Sequence, residues 1–297
     1  MCGIVGLFLK DQTLAPDLGG MLSDMLVTMT DRGPDSAGIA IYEPGTGKAK
    51  ITVQSPDPEA DFDGLQAALS KAVGEDVTVR IKATHAVIEV PVSAQPQTRA
   101  ALTHLRPAAR VMSAGEAIEI YKEVGLPRDV ANRFGIGNMG GTHGIGHTRM
   151  ATESAVTTMG AHPFSTGADQ CLVHNGSLSN HNNLRRELRH KGVGFETDND
   201  SEVAAAYLTA RMAEGDDLDA ALEAGLSDLD GFYTFVVGTR DGFGVLRDPV
   251  ACKPAVMAET DAYVAFGSEY RALATLPGVD AARVWEPEPA TVYFWSH

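Results

Sequence analysis

The sequence is short of cysteine, of positive charge and of long apolar runs, and each shortage removes a class of function. Its three cysteines, Cys2, Cys171 and Cys252, have no paired spacing. They suggest neither a disulfide framework nor a zinc site. Lys and Arg number 24 against 39 Asp and Glu, giving a formal net charge of −15 and a pI near 4.9. That balance argues against binding a nucleic-acid backbone or an anionic membrane surface, and its plain meaning is solubility. No apolar run approaches the roughly 20 residues of a membrane span. No basic start precedes an apolar signal core. There is no phosphate-binding loop, dinucleotide glycine pattern or iron–sulfur cysteine run, so no cofactor is expected. The expected setting is a reducing cytoplasm, which would keep the Cys2 thiol free.

What is present is ordinary for a globular chain. The 297 residues are 44% hydrophobic and 21% charged, enough for one large domain or two of usual size. The opening Met1-Cys2-Gly3-Ile4-Val5-Gly6-Leu7-Phe8 is the most informative stretch. Cys2 is small, so Met1 is expected to be trimmed, leaving a thiol and a free α-amine on one residue. A thiol attacks as its thiolate and needs a base. An α-amine with a pKa of about 7.7–8.0 can serve from the same residue. Ile4 to Phe8 reads as a buried strand that would anchor the terminus. On its own, Cys2 reads first as a small core residue, and the rest of the chain has to favour catalysis.

Further along, Leu18, Met21, Leu22, Met25, Leu26 and Met29 recur at helical spacing, with the methionines read as core filling. Asp31-Arg32-Gly33-Pro34-Asp35 breaks that helix, and a strand resumes at Gly38–Tyr42. Residues 49–140 read as a small α+β insertion or subdomain. Its expected parts are strands at 51–53, 77–81 and 87–90, a helix at 62–73, a loop framed by Pro91 and Pro96, and short helices at 117–124 and 129–134. The second half is clearer. A strand enters a loop at 147–152, and Cys171–His174 is a short strand before Asn175-Gly176, a turn signal. Helices are expected at 180–190, with its basic residues on a solvated face, at 201–212, with Asp200 as a cap, and at 218–229. Antiparallel strands from Phe232 to Trp295 complete the pattern. Strands in antiparallel pairs, with helices between groups, predict sheets packed between helix layers rather than a βαβ winding.

Four polar clusters interrupt this background: Cys2; Arg32-Gly33-Pro34-Asp35-Ser36-Ala37-Gly38; Gly146-His147-Thr148-Arg149; and His174-Asn175-Gly176 with Asp200-Ser201-Glu202 downstream. Singly each has a bland reading: a surface arginine, a hairpin turn, a helix cap. In this order they resemble the class II glutamine amidotransferases of the N-terminal-nucleophile hydrolase superfamily. The resemblance covers residues 2–42 and about 141–275. It implies an α+β fold, a four-layer αββα sandwich of two mainly antiparallel sheets, over residues 2–297. It also implies roles. Cys2 attacks the side-chain amide of L-glutamine to form a γ-glutamyl thioester. Asn175 and the Gly176 N–H stabilise the oxyanion. Arg149 pairs with the substrate α-carboxylate, and Asp200 holds its α-ammonium. Met150 and Thr152-Glu153-Ser154 depart from the family pattern after Arg149. Arg247-Asp248-Pro249 and Lys253-Pro254 read as structural, and Cys171 and Cys252 as buried small residues.

Relatives feed the released ammonia to a synthase. The expectation here is an amidotransferase subunit whose synthase is another chain, resembling those of glutamate synthase and N-methylglutamate synthase. A catalytically silent regulatory subunit and an independent amidase of the superfamily remain open alternatives. The intact set Cys2, Arg149, Asn175, Gly176 and Asp200 weighs against the first, and the opposite charges of Arg149 and Asp200 weigh against the second.

Overall fold

The computed structural model describes residues 2–151 and 155–297. Its centre is a seven-stranded antiparallel sheet in the order β14-β12-β13-β1-β8-β2-β7. The strands are β1 (Gly3–Leu9), β2 (Ser36–Tyr42), β7 (Ile118–Val124), β8 (His143–Arg149), β12 (Val256–Glu259), β13 (Tyr263–Gly267) and β14 (Arg283–Trp285). A second sheet runs β15-β11-β10-β9, from β9 (Cys171–Leu178), β10 (Gly231–Gly238), β11 (Gly242–Arg247) and β15 (Thr291–Ser296).

Side-chain alternation explains the stacking. In β1, Val5, Leu7 and Leu9 enter one apolar cluster, while Ile4 and Phe8 enter another on the opposite face. The first cluster is closed by helices α1 (Leu18–Thr28), α5 (Pro127–Phe134) and α9 (Tyr270–Leu273). The second lies between the sheets and takes Val173, Val236, Phe243 and Val245 from the smaller one. The outer face of the smaller sheet carries α6 (His181–His190), α7 (Asp200–Ala213) and α8 (Leu218–Asp228). The result is the four-layer αββα sandwich, with strands apolar at successive positions because both faces are covered. Truncating one fully buried side chain such as Leu7 to alanine would cost about 2–5 kcal/mol. Met25 and Met29 are fully buried in the α1 layer, as core filling requires.

The chain leaves the central sheet after Tyr42 and re-enters it at Ile118, beside β2. Between them, β3 (Lys48–Gln54), β4 (Thr78–Lys82), β5 (His85–Pro91) and β6 (Arg110–Gly115) form a third sheet, in the order β4-β5-β3-β6. Helices α2 (Pro58–Phe62), α3 (Leu65–Val73) and α4 (Gln95–Leu105) close a separate apolar cluster with it. Within the 49–140 stretch this unit spans β3 to β6, whereas β7 and α5 belong to the central sheet and its helix layer. Glu119 of β7 ties the two together. It is fully buried and meets Lys50 Nζ of β3 at 3.1 Å, Arg80 Nη2 of β4 at 2.8 Å and the Tyr121 hydroxyl at 2.5 Å. Burial opposes its charge, but Lys50, Tyr121 and Arg80 outweigh it and hold the carboxyl below the usual range.

Several local expectations are corrected. Residues 117–124 are strand rather than helix: Ile118 and Ile120 alternate with Glu119 and Tyr121 at period two, and the strand is buried on both faces. The stretch between Pro91 and Pro96 is not a loop, because Pro96 sits in the first turn of α4, where its missing N–H costs nothing. Asn175-Gly176 does not reverse the chain. Both lie inside β9, whose pairing with β10 continues through Ser177 and Leu178. Cys252 is exposed, whereas Cys171 is buried beside Tyr42 and its thiol is pushed up to about 12 by burial.

Buried histidines make acid stability a test of this packing. Burial pushes His85, His143 and His147 each down to about 3, so they stay neutral in the fold while an unfolded chain protonates near 6.5. Folded values below unfolded ones mean that stability is complete above pH 6.5 and is lost as pH falls towards 3. The expected slope is about 1.4 kcal/mol per pH unit for each such imidazole. Urea unfolding at pH 7.0, 6.0 and 5.0, above the carboxylate range, should show a steep fall; a flat profile would contradict neutral burial.

Candidate active site

Cys2 precedes β1, which lies between β13 and β8 in the central sheet. Gly3 pairs with Thr148, placing the Cys2 end of β1 beside Arg149 at the end of β8. The Cys2 carbonyl accepts from Arg32 Nε at 2.9 Å and from Asn175 Nδ2 at 3.3 Å. One oxygen thus joins the Arg-Gly-Pro-Asp loop, the central sheet and the facing sheet. Arg32 is buried and makes an ion pair with half-exposed Glu269 at 2.7 Å. The next amide in β1 is held too, with Ile4 N donating to Ser268 Oγ at 2.9 Å and Ser268 N to the Ile4 carbonyl at 2.9 Å.

Gly176 follows Asn175 with φ +148, and a Cβ there would lie 2.0 Å from the Phe232 carbonyl oxygen. Only glycine fits this approach of β9 to β10. Arg149 is buried, donates from Nη1 to the Ala155 carbonyl at 3.4 Å and lies beside Gly160. The backbone next to it is pinned by Asp35, whose N–H donates to the Arg149 carbonyl at 3.1 Å and whose carboxylate accepts from Ala151 N at 2.8 Å.

Asp200 begins α7 but does not cap it. Asn199 does, accepting from Ser201 N at 2.9 Å. The Asp200 carboxylate is therefore free to accept from Leu178 N at 3.0 Å, at the end of β9, and its Oδ1 lies 3.7 Å from His174 Nδ1. Residues Ser201 to Leu208 are buried without a break, since α7 is covered on all sides. The preceding loop is clamped by Arg185, which donates to the Thr197 and Asn199 carbonyls. This corrects the reading of α6 as a wholly solvated basic face: Arg185 is 5% exposed. Glu202 receives the Glu196 and Thr197 N–H groups at 2.8 Å each.

Sequence reasoning gave no role to a cluster of three buried histidines behind the candidate residues. His147 and His162 stack at 4.1 Å between ring centroids. His147 Nε2 contacts the His174 carbonyl at 3.1 Å. The Ser201 hydroxyl bridges His162 Nε2 at 2.7 Å and His174 Nδ1 at 2.9 Å. Burial lowers the pKa of all three, so they are neutral at pH 7 and orient without adding charge. Their sequence signal was adjacency alone: His147 before Thr148-Arg149, His174 before Asn175, Ser201 after Asp200. The structure thus joins Cys2 to Asn175 directly, sets Arg149 beside it along β8, and brings Asp200 alongside through His174 and Ser201. Thr152, Glu153 and Ser154 lie outside the described residues. Arg247 is structural, binding the Ala251 and Lys253 carbonyls. Among the described residues no His, Cys, Asp and Glu cluster could hold a metal, and no helix is long and apolar enough to cross a membrane.

Residues 147–275 match the glutamine amidotransferase domain family. The chain is similar to the glutamine amidotransferase-like protein GlxB of Rhizobium meliloti, with 68% identity over 100% of this chain and 99% of that protein. It is also similar to a putative glutamine amidotransferase of Methanothermobacter thermautotrophicus, with 32% identity over 98% of each. Its fold matches glutamine phosphoribosylpyrophosphate amidotransferase of B. subtilis at TM-score 0.63 and 19% identity, over 99% of this chain and 47% of that one. The chain thus spans about half the length of that enzyme. With this likeness and this geometry together, the chain belongs to the class II glutamine amidotransferases, glutamine-hydrolysing enzymes of the N-terminal-nucleophile fold.

Proposed function

We propose that the protein is a glutaminase subunit that hydrolyses L-glutamine through Cys2 and passes ammonia to a synthase on a separate chain. The observation that carries the reading is the 3.3 Å contact of Asn175 Nδ2 with the Cys2 carbonyl, which sets an amide donor one peptide from the thiol. With Met1 removed, the α-amine of Cys2 takes the thiol proton, directly or through water. Sulfur then attacks the glutamine Cδ, and the carbonyl electrons move to oxygen. Asn175 Nδ2 and the Gly176 N–H hold that oxyanion. Collapse expels ammonia with the proton returned by the amine and leaves a γ-glutamyl thioester. Water, deprotonated by the same amine, attacks the thioester; glutamate leaves and the thiol is restored. Arg149 binds the α-carboxylate through its planar fork, and Asp200 binds the α-ammonium. Neutral imidazoles around them leave the reading of substrate charge to this pair.

The separate synthase is argued from relatives. GlxB and the Methanothermobacter protein align along nearly their whole lengths, so an amidotransferase of this size recurs apart from the longer phosphoribosylpyrophosphate enzyme. The unit built from β3 to β6 gives this chain a surface beyond the sandwich. A partner of the glutamate synthase or N-methylglutamate synthase type fits this design.

Purified chain, alone and with copurifying subunits, should release glutamate from glutamine, and Cys2→Ala should reduce release to background. Equal inactivity of both, partner present, would end the catalytic reading. Asn175→Ala should lower kcat by about 10²–10³-fold, from the loss of one oxyanion donor. Arg149→Lys and Asp200→Asn should instead raise KM by about tenfold or more, since each weakens one charged end of the substrate.

A second measurement addresses the base. Intact-mass and N-terminal peptide analysis of active protein should show Cys2 as the first residue. Active protein that retains Met1 would refute α-amine catalysis, because that nitrogen would then be a peptide amide.

A further inference from the structure

Lys122 is buried, yet among the described residues no carboxylate lies within hydrogen-bonding distance of its ammonium. Its Nζ instead fans across one segment, donating to the carbonyls of Ala161 at 2.8 Å, Pro163 at 3.2 Å and Met159 at 3.4 Å, and lies 4.6 Å from the centre of the Phe164 ring. Burial pushes its pKa down to about 8, with Glu202 and Glu196 partly offsetting that. A methionine of similar length would fill the space without desolvating a charge. What lysine adds is three directed donors.

Those donors hold a segment that reaches both candidate substrate-binding residues. At its near end, Ala155 accepts from Arg149 Nη1, and Gly160 sits against the same nitrogen, 3.1 Å from where a Cβ would stand. At its far end, His162 contacts Ser201 Oγ at 2.7 Å, next to Asp200. The segment is seated on β2 as well. Lys122 pairs with Gly38, and a Cβ on Gly38 would fall 2.0 Å from the His162 carbonyl oxygen. The neighbouring Glu123 adds a second grip, accepting from the Thr158 hydroxyl. On its other side Lys122 lines a cavity of about 710 Å³ that also takes in Glu202, Ser113 and Thr209 but none of Cys2, Arg149, Asn175 or Asp200.

We propose that Lys122 is a positioning residue for glutamine binding: by tying down the carbonyls of residues 159–163 it fixes the wall that orients Arg149 and, through His162 and Ser201, the start of α7. The inference rests on the assignment of Arg149 and Asp200 to substrate. It predicts an effect on substrate affinity from a residue that touches neither substrate nor nucleophile.

The test uses the full chain with its copurifying subunits and the variants Lys122→Met, Lys122→Arg and Thr158→Val. Lys122→Met should raise the glutamine KM at least tenfold with kcat within threefold of wild type, and speed hydrogen exchange of the 155–162 amides while the sheet amides stay protected. Thr158→Val should shift the same amides with a smaller rise in KM. An unchanged KM, a kcat loss at constant KM, or unaltered exchange in 155–162 would overturn the proposal. If Lys122→Met does not fold, Lys122→Arg decides: it keeps the charge but not the three-carbonyl fan, so a raised KM supports the inference and an unchanged one overturns it. Exchange needs no turnover, so a wild type as inactive as Cys2→Ala would sink the glutaminase reading, while the exchange result would still judge Lys122.

Discussion

The placement of Cys2 is the constraint on which this site depends. A chain terminus ordinarily frays, and a nucleophile carried there would lose the benefit of fixed geometry. Here the Cys2 carbonyl is bound from two sides, by Arg32 Nε and Asn175 Nδ2, and the following peptide is locked to Ser268 in both directions. Arg32 belongs to the loop before β2 and Asn175 to the opposite sheet, so the two sheets must pack in register for the terminus to be held. The Arg32–Glu269 ion pair is secondary, because Glu269 is partly exposed and solvent weakens the pairing.

Electrostatics follow from the same packing. Sandwiching the site between two sheets buries three imidazoles, and burial keeps them neutral. A charged histidine beside buried Arg149 would set two cations together in one desolvated space. Neutral rings instead act as spacers with directed hydrogen bonds. Ser201 joins two of them and stands directly after Asp200, so the start of α7 is positioned by contacts that add no net charge.

Much of this was legible because the informative residues lie in short motifs with unusual chemistry. Cys2 and Asn175 adjoin apolar strand patterns, Arg149 and Asp200 lie in short polar runs, and the β1 and α1 periodicities are strong. What escaped has physical causes. Residues 117–124 carry Glu and Lys at buried positions, and a strand neutralised by Lys50, Arg80 and loop carbonyls does not look apolar in one dimension. Arg185 looked solvated because its partners are backbone carbonyls, which leave no mark in a sequence. Asn175-Gly176 read as a turn because Asn-Gly is a common turn dipeptide; the pairing with β10 shows that the positive φ of Gly176 serves a close strand approach instead.

The third sheet shows why a long elaboration can coexist with an exacting site. In the central sheet β2 and β7 are antiparallel neighbours, a pairing that a short hairpin turn would satisfy. The chain instead spends residues 48–115 on a unit with its own apolar cluster and then returns to the same edge. Because β7 is the outermost strand, the ladder linking β13, β1, β8 and β2 is untouched by what precedes it. Yet β7 is not inert: one residue, Glu119, faces the cations of the third sheet, and three positions later Lys122 faces the segment beside Arg149. A single edge strand therefore carries both the attachment of the added unit and the support of the carbonyls of Met159, Ala161 and Pro163. The added unit is thus linked through β7 to the segment beside Arg149, by contacts separate from those that hold the Cys2 carbonyl.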